Sequence, residues 1–465
     1  MRIELDLGLV YAHLRLFYSI VKTYTLRIHL LIFTKQGSLR TAASSQGQRL
    51  DAFVEQDRIT RSRTAVLSLD FNGLTRDYST FCFNLLISKN VFPQIFARSK
   101  YFSYVLWMFN IFFLLCNRVY GGYSFASIGQ RWAFLDHFRV ILRMISFGYD
   151  YYWAHQNSCF DQKERSVHID KFSFSIYLCY LVYAPLYIAG PIISFNAFTS
   201  QLDVPQKNYS VGQVAWYGLR WVLSLFLMEL MTHLFYYNAF ANSGVWKHLS
   251  PLEVFIIGYG VLNFMWLKFS LIWRYFRFWS LMGGIEAPEN MPRCINNCYD
   301  LESFWKNWHA SFNKWLVRYI YIPLGGSQRK LLNVWVIFTF VAIWHDLEWK
   351  LLSWAWLTCL FFIPEMIVKS AATAFQAKSA SGEFILRELS AFAGAITITC
   401  LMVANLVGYV IGPSGINWLI SRFLQKDGLP ILGGMFTTFY VGTKLMFHIR
   451  DAKRRTKLKR PTQDS

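Results

Sequence analysis

The sequence has few charged residues for its length. Asp, Glu, Lys and Arg make up 16% of its 465 residues, whereas an average soluble protein carries about 25%. Hydrophobic residues make up 54% of the chain, aromatic residues 18%, and the mean hydropathy is +0.27. Trp and Tyr are favoured where a helix meets the lipid headgroups. The composition therefore argues against a water-soluble protein and predicts a membrane protein.

Acidic residues are the scarcer charged class: 27 Asp and Glu stand against 47 Lys and Arg, a net charge of +20. A basic surplus is also typical of proteins that bind nucleic acid. Here, however, the basic residues fall mostly between apolar runs and in the tail at residues 448–465. Basic residues beside membrane helices mark the cytoplasmic side and attract anionic lipid. The pattern predicts membrane lipids as partners and no nucleic acid.

Cysteines are few and mostly scattered through apolar runs. Of the eight, Cys294 and Cys298 form the one close pair in a polar stretch. A structural zinc site needs four ligands, and no second pair accompanies them. The sequence predicts no metal site, and it leaves two free thiols or one local disulfide as alternatives.

Long apolar runs recur along most of the chain, and a membrane helix needs about 20 such residues. Two stretches that carry basic residues, 9–33 and 131–153, fit an interfacial helix and a helix packed in a bundle or at its edge. We expect an all-α polytopic membrane protein with roughly eight to ten transmembrane helices, plus re-entrant or interfacial helices. The candidate spans are residues 101–115, 172–189, 214–236, 254–272, 331–344, 351–368, 389–411 and 431–447.

Three regions follow from this pattern. Residues 1–100 form an amino-terminal region with weak membrane segments and a polar loop at 36–64, residues 101–447 a transmembrane domain, and residues 448–465 a basic cytoplasmic tail. Basic residues interrupt the first apolar stretch, so no cleavable signal peptide is predicted. Internal repeats of the kind found in many transporters are not evident.

The polar, aromatic stretch between Gly283 and Lys330 is too long for a simple turn. A single helix over residues 305–319 would place most of its aromatic side chains on one face. His309 would then lie at the edge of that apolar face. An amphipathic interfacial helix with a histidine at its border is the structural alternative to a functional role.

His345 follows the apolar run at residues 331–344, which is short for a full crossing. A histidine at membrane depth is a functional candidate, because ionisable groups are costly there. A neutral imidazole can accept a proton near pH 7. The alternative places His345 in a solvated loop at the headgroup level, beside Asp346 and Lys350.

Several sequence blocks resemble the membrane-bound O-acyltransferase family. Trp344 and His345 at the end of an apolar helix complete the pattern that begins with His309. Within the family the resemblance is closest to the glycerol-uptake-protein branch, near the Hedgehog acyltransferases. It extends over about residues 101–447, and residues 1–100 match poorly. The blocks are residues 146–151 (SFGYDY), 189–191 (AGP), 284–291 (GIEAPENM), 304–309 (FWKNWH) and 318–326 (RYIYIPLGG).

The resemblance implies a membrane-embedded chamber in which a fatty acyl group passes from acyl-CoA to a hydroxyl, in the endoplasmic reticulum membrane. His345 takes the position of the family's catalytic histidine, a general base. His309 takes a second position, held by Asn or Asp in other branches. Acyl-CoA is then a co-substrate, and no tightly bound cofactor is expected. The residues expected to contact the substrates are Trp305, Asn307, Arg318 and Trp344.

The sequence leaves alternatives open. The acceptor is a lipid or glycolipid alcohol, for example a glycosylphosphatidylinositol intermediate, although a protein amino terminus is also compatible. Arg318, Arg329 and Lys330 either bind the phosphates of CoA or flank a membrane helix. No Ser or Cys nucleophile lies beside a base, which favours direct transfer. The competing functions are a transporter of glycerol or another solute, a transport regulator, and a non-catalytic relative.

Overall fold

The apolar runs form helices in the computed structural model, which describes Ser99 and residues 101–121, 129–156, 167–235, 249–345, 348–374 and 380–459. These residues form helices and no strand. All of them belong to one compact unit, residues 80–125 and 129–465. The predicted segments at 9–33 and 36–64 lie outside the described residues. The expectation of an all-α membrane protein is confirmed.

We number the α-helices of the described residues in chain order. They are α1 (Phe102–Gly121), α2 (Gly129–His155), α3 (Phe174–Val182), α4 (Ala184–Tyr187), α5 (Phe195–Asp203), α6 (Val211–Leu234), α7 (Pro251–Met282), α8 (Leu301–Asn307), α9 (Ala310–Leu316), α10 (Lys330–His345), α11 (Trp349–Ala374), α12 (Ala380–Leu406), α13 (Gly415–Leu424) and α14 (Gly428–Lys459). Two π-helical turns extend α9 and α12, at Val317–Tyr321 and Val407–Ile411.

Four helical stretches of the described part are long and apolar enough to cross a bilayer. They are Val211–Leu234, Pro251–Met282, Trp349–Ala371 and Ser381–Ile411. In Val211–Leu234, only 6% of the apolar window is buried within the protein. Phe226 on this helix is 71% exposed. A helix can expose such side chains in lipid, because its backbone groups bond within the helix.

The predicted span at residues 172–189 is wrong. The chain there forms two short helices, α3 and α4, which break at Tyr183. Pro185 lies in the first turn of α4. Proline has no backbone N–H to donate and disfavours helical geometry in the residue before it, which favours the break between the two helices at this point.

Residues 140–150 of helix α2 pack inside the bundle, which is the first of the two alternatives predicted for the stretch 131–153. Its described side chains from Val140 to Asp150 are buried. The Arg143 guanidinium donates hydrogen bonds of 2.7 Å to the carbonyls of Tyr180 and Leu181. A buried charge is tolerated when hydrogen bonds replace its water, so these bonds fix α2 against α3.

Candidate active site

A cavity of about 430 Å³ opens between α7, α8, α9, α10, α11, α12 and α14. This volume is typical of a site for a small ligand. Among the described residues that line it, none is Asp, Glu, Lys or Arg. Its walls are mostly aromatic and aliphatic, so the few polar groups mark where chemistry can occur. Those polar residues are His309, His345, Asn263, Asn296, Asn313, Asn405, Tyr259, Tyr409 and Cys298.

His345 is the last residue of α10 and projects into this cavity. It lies deep within the unit, yet part of its surface is accessible, so the accessible part faces the cavity. The imidazole packs between Trp344, with ring centroids 4.8 Å apart, and Trp354, at 6.0 Å. Neither ring nitrogen has a hydrogen-bond partner among the described residues. Both nitrogens are therefore available to a bound substrate.

His309 lies at a sharp break in the backbone. The predicted single helix over residues 305–319 is wrong: α8 ends at Asn307 and α9 begins at Ala310. Between them His309 adopts φ 47° and ψ 51°, the one positive φ of a non-glycine residue in the described part. The left-handed conformation costs an L-residue roughly 1–2 kcal/mol. Such strain concentrates at functional sites.

Asn290 stabilises this break. Its carbonyl oxygen accepts a hydrogen bond from the N–H of Ala310, and its Oδ1 accepts one from the N–H of Ser311, both at 3.0 Å. The first N–H groups of a helix have no partner within that helix. A fully buried asparagine therefore caps α9, while the His309 side chain makes no capping hydrogen bond.

The break turns the imidazole of His309 toward the cavity. Its ring centroid lies 4.3 Å from that of Trp273 on α7 and 6.1 Å from that of Trp344 on α10. Trp344 also contacts His345. One indole thus links the two histidines, and the structure brings them together in one cavity.

The other residues predicted to contact substrate divide into two pairs. Trp305 and Trp344 line the cavity. The structure does not bring Asn307 and Arg318 to it. The Asn307 amide donates to the Ser303 carbonyl within α8, at 2.6 Å.

Arg318 points into the bundle on the far side of α9. Its guanidinium pairs with Asp150 at 3.1 Å and lies over the ring of Trp153 at 5.1 Å. Asp150 is fully buried, and removing one partner of a buried pair leaves an uncompensated charge. This ion pair thus holds the helix pair α2 and α9 together. Arg329 is exposed, and Lys330 pairs with Glu302 at 3.6 Å.

A charged cluster anchors the start of α8. Glu365 on α11 accepts hydrogen bonds from the N–H groups of Leu301, at 2.7 Å, and Glu302, at 3.3 Å. It also pairs with Lys369 at 2.9 Å. The hydrogen bond from Lys306 lowers the pKa of Glu302 to about 2, so this carboxylate is charged at neutral pH. The cluster fixes α8, which carries Trp305, against α11.

Cys294 and Cys298 are free thiols, so the alternative of a local disulfide is wrong. The Cys298 thiol donates to the Cys294 carbonyl, with sulfur and oxygen 3.8 Å apart. In the part of the chain that the structure describes, no group of three or more His, Cys, Asp or Glu side chains could hold a metal ion.

Sequence reasoning missed Asn290, Trp273, Trp354 and Tyr409. The last three lie within apolar helices, where their residue types are expected for packing alone. Asn290 belongs to one of the blocks that carried the resemblance, but its role as a cap depends on a fold that brings residues 290 and 310 together.

The chain is similar to known membrane proteins over most of its length. The family model described as MBOAT, membrane-bound O-acyltransferase family, matches residues 9–406. The chain is 35% identical over 401 residues to the membrane-bound O-acyltransferase gup1 of Schizosaccharomyces pombe, covering 79% of this chain and 67% of that protein. It is 33% identical over 386 residues to GUP1 of Saccharomyces cerevisiae, covering 75% and 68%.

A more distant relative is the protein-cysteine N-palmitoyltransferase HHAT of Mus musculus, 26% identical over 285 residues, with 58% of this chain and 57% of that protein covered. The chain spans about two thirds of the length of the two Gup proteins. The family match includes most of the first 100 residues.

Proposed function

The chain belongs to the membrane-bound O-acyltransferase family, and on that basis we propose that it transfers a fatty acyl group from acyl-CoA to a hydroxyl of a lipid or glycolipid alcohol. We place this reaction in the endoplasmic reticulum membrane, with the thioester and the hydroxyl meeting in the cavity. Members of the family are acyltransferases, and the Gup relatives are named O-acyltransferases.

The observation that carries the proposal is the presence of two imidazoles in one uncharged, aromatic cavity. An apolar wall accommodates an acyl chain, and a small number of polar groups fixes the reacting atoms. No carboxylate is found among the described residues that line the cavity, so none of those residues pairs with the imidazolium form of His345 before the reaction. The neutral ring needed by a general base is then available.

In the proposed step His345 takes the proton of the acceptor hydroxyl as its oxygen attacks the thioester carbonyl carbon. A carbon–oxygen bond forms, the carbon–sulfur bond breaks, and the departing CoA sulfur takes the proton from His345. The products are an ester and free CoA. No acyl-enzyme forms, so the cavity holds both substrates together and contributes their mutual positioning.

We assign His309 to orientation of the acceptor. It lies across Trp344 from His345, and its strained backbone is fixed by Asn290. A strained residue that a neighbour holds in place is preorganised for binding. Trp344 provides an aromatic wall beside the base, and Trp305 packs against Trp354, the other ring neighbour of His345. The residues proposed to act on substrate are therefore His345, His309, Trp305 and Trp344.

The proposal is tested with purified protein in liposomes that contain microsomal lipids and radiolabelled palmitoyl-CoA. We expect labelled lipid that mild base hydrolyses, with an equimolar release of CoA thiol, because the product is an ester. Liposomes without protein are the control for spontaneous hydrolysis.

Two results would contradict the proposal. Base-resistant label would indicate an amide, and hence an amino acceptor. Flux of glycerol or another solute across the liposome membrane, with no acyl transfer, would favour the transporter.

A further inference from the structure

The cavity lining includes a tyrosine, Tyr409, whose hydroxyl has no hydrogen-bond partner among the described residues. Tyr409 lines the cavity and is 39% exposed, although it lies deep within the unit. Its accessible surface therefore faces the cavity. The hydroxyl has no hydrogen bond to any described residue. Buried tyrosine hydroxyls usually find a partner, so a free one in an apolar cavity points to a ligand atom as the partner.

The backbone places Tyr409 in an unusual element. It belongs to the π-helical turn Val407–Ile411, which continues α12. Single π-turns inside α-helices occur frequently at functional sites. The turn brings Gly408 against the indole of Trp354, where an added Cβ would lie 2.8 Å from the side chain. Only glycine allows this close approach, and it brings the ring of Tyr409 beside Trp354.

Trp354 holds both the base and the phenol. Its ring centroid lies 6.0 Å from that of His345 and 5.8 Å from that of Tyr409, both in edge contacts. Its Nε1 donates to the Oδ1 of Asn405 at 3.4 Å, and it is 1% exposed. A buried, hydrogen-bonded indole thus fixes the separation between His345 and Tyr409.

Among the described residues near this end of the cavity, the Asn405 side chain is already engaged in hydrogen bonds. The Asn405 amide donates to the Leu401 carbonyl at 2.8 Å and accepts from Trp354. The ring neighbour of Tyr259 on α7 is Phe255, whereas Tyr409 contacts the same indole as His345. This shared contact makes Tyr409 the neutral donor best placed to act with His345.

We propose that Tyr409 is a catalytic residue whose phenol donates a hydrogen bond to the carbonyl oxygen of the acyl thioester. The inference rests on the proposed function. As the acceptor oxygen bonds to the carbonyl carbon, the carbonyl electron pair moves onto its oxygen, and the hydrogen bond from Tyr409 stabilises that negative charge. The pair returns as the carbon–sulfur bond breaks. The phenol keeps its proton throughout, and His345 alone carries the transferred proton to sulfur.

The test combines kinetics with infrared spectroscopy. Removal of one oxyanion donor lowers turnover by about 10²- to 10³-fold, so we expect Tyr409→Phe to lower kcat by that factor with little change in KM. Tyr275→Phe is the matched control, because Tyr275 lies on α7 against Trp221 and outside the cavity lining. The Tyr275→Phe substitution also removes a phenol hydroxyl, but outside the cavity, and it should leave kcat unchanged.

The infrared measurement does not depend on catalytic turnover. Isotope-labelled acyl-CoA is bound to the His345→Ala protein and to His345→Ala/Tyr409→Phe, and the carbonyl stretching band is recorded. We expect the band at lower frequency in the first protein, because a hydrogen bond weakens the C=O bond. An equal frequency in both, or wild-type kcat in Tyr409→Phe, would overturn the role of Tyr409 while leaving the acyltransferase proposal intact. A wild-type protein without acyl transfer would overturn both.

Discussion

Replacing His345 with alanine should lower the rate of acyl transfer by about 10²- to 10⁴-fold, the usual contribution of a positioned general base. The reason is that His345, at the end of α10, lines the cavity, and its two ring nitrogens have no hydrogen-bond partner among the described residues. The measurement is the initial rate of labelled ester formation in liposomes, at saturating palmitoyl-CoA.

Two controls separate chemistry from folding in this experiment. His345→Gln keeps a polar side chain of similar length but cannot act as a base near neutral pH, and it should be as inactive as His345→Ala. His233→Ala changes an exposed histidine at the end of α6 and should retain the wild-type rate. A His345→Ala protein with wild-type turnover and wild-type thermal stability would rule out the mechanism.

Replacing Trp354 with alanine should lower the free energy of unfolding by about 3–5 kcal/mol, the usual cost of truncating a buried Trp. Trp354 is 1% exposed and contacts Trp305, His345 and Tyr409 in edge arrangements. Removing the indole also takes away the contact that holds the rings of His345 and Tyr409 in place. We therefore expect acyl transfer to fall even at temperatures where the variant stays folded.

Trp356→Ala is the matched control for this substitution. Trp356 lies on the same helix, is 43% exposed, and donates to the Thr339 hydroxyl at 3.2 Å. The Trp356→Ala substitution should lower the free energy of unfolding by well under half as much as Trp354→Ala. Denaturant titration of both proteins in the same detergent measures the difference. Equal destabilisation by the two substitutions would contradict the role given to Trp354.

Hydropathy predicted the long helices because lipid requires continuous apolar runs. The runs at 214–236 and 254–272 correspond to α6 and α7, each a single helix of the described part. The run at 172–189 is equally apolar but contains Pro185, and there the chain forms two short helices. Window hydropathy gives proline little weight, although proline changes which backbone bonds can form.

The sequence predicted which residues belong to the candidate site better than it predicted their geometry. The resemblance singled out His309 and His345, and the structure places both in one cavity. The left-handed turn at His309 could not be read from helical periodicity, because Asn290, remote in sequence, stabilises it. The partner of Arg318 was equally hidden, since Asp150 reaches it only in the folded bundle.

The π-turn at Tyr409 left no signal in the sequence, because the residues 407–411 read as an ordinary apolar helix. Its hydroxyl becomes informative only when the cavity around it is known. Packing between distant helices decides which polar groups in an apolar run face a ligand. A hydropathy average over the run does not show which of its residues these are.

The central claim is that the acyl thioester occupies the cavity shared by His309 and His345. An electron cryomicroscopy structure with a hydrolysis-resistant acyl-CoA analogue tests it most directly. We predict the carbonyl group of the analogue beside Trp344 and Trp354, with room for an acceptor oxygen within about 3 Å of a ring nitrogen of His345. An analogue bound elsewhere, with its carbonyl outside this cavity, would contradict the account.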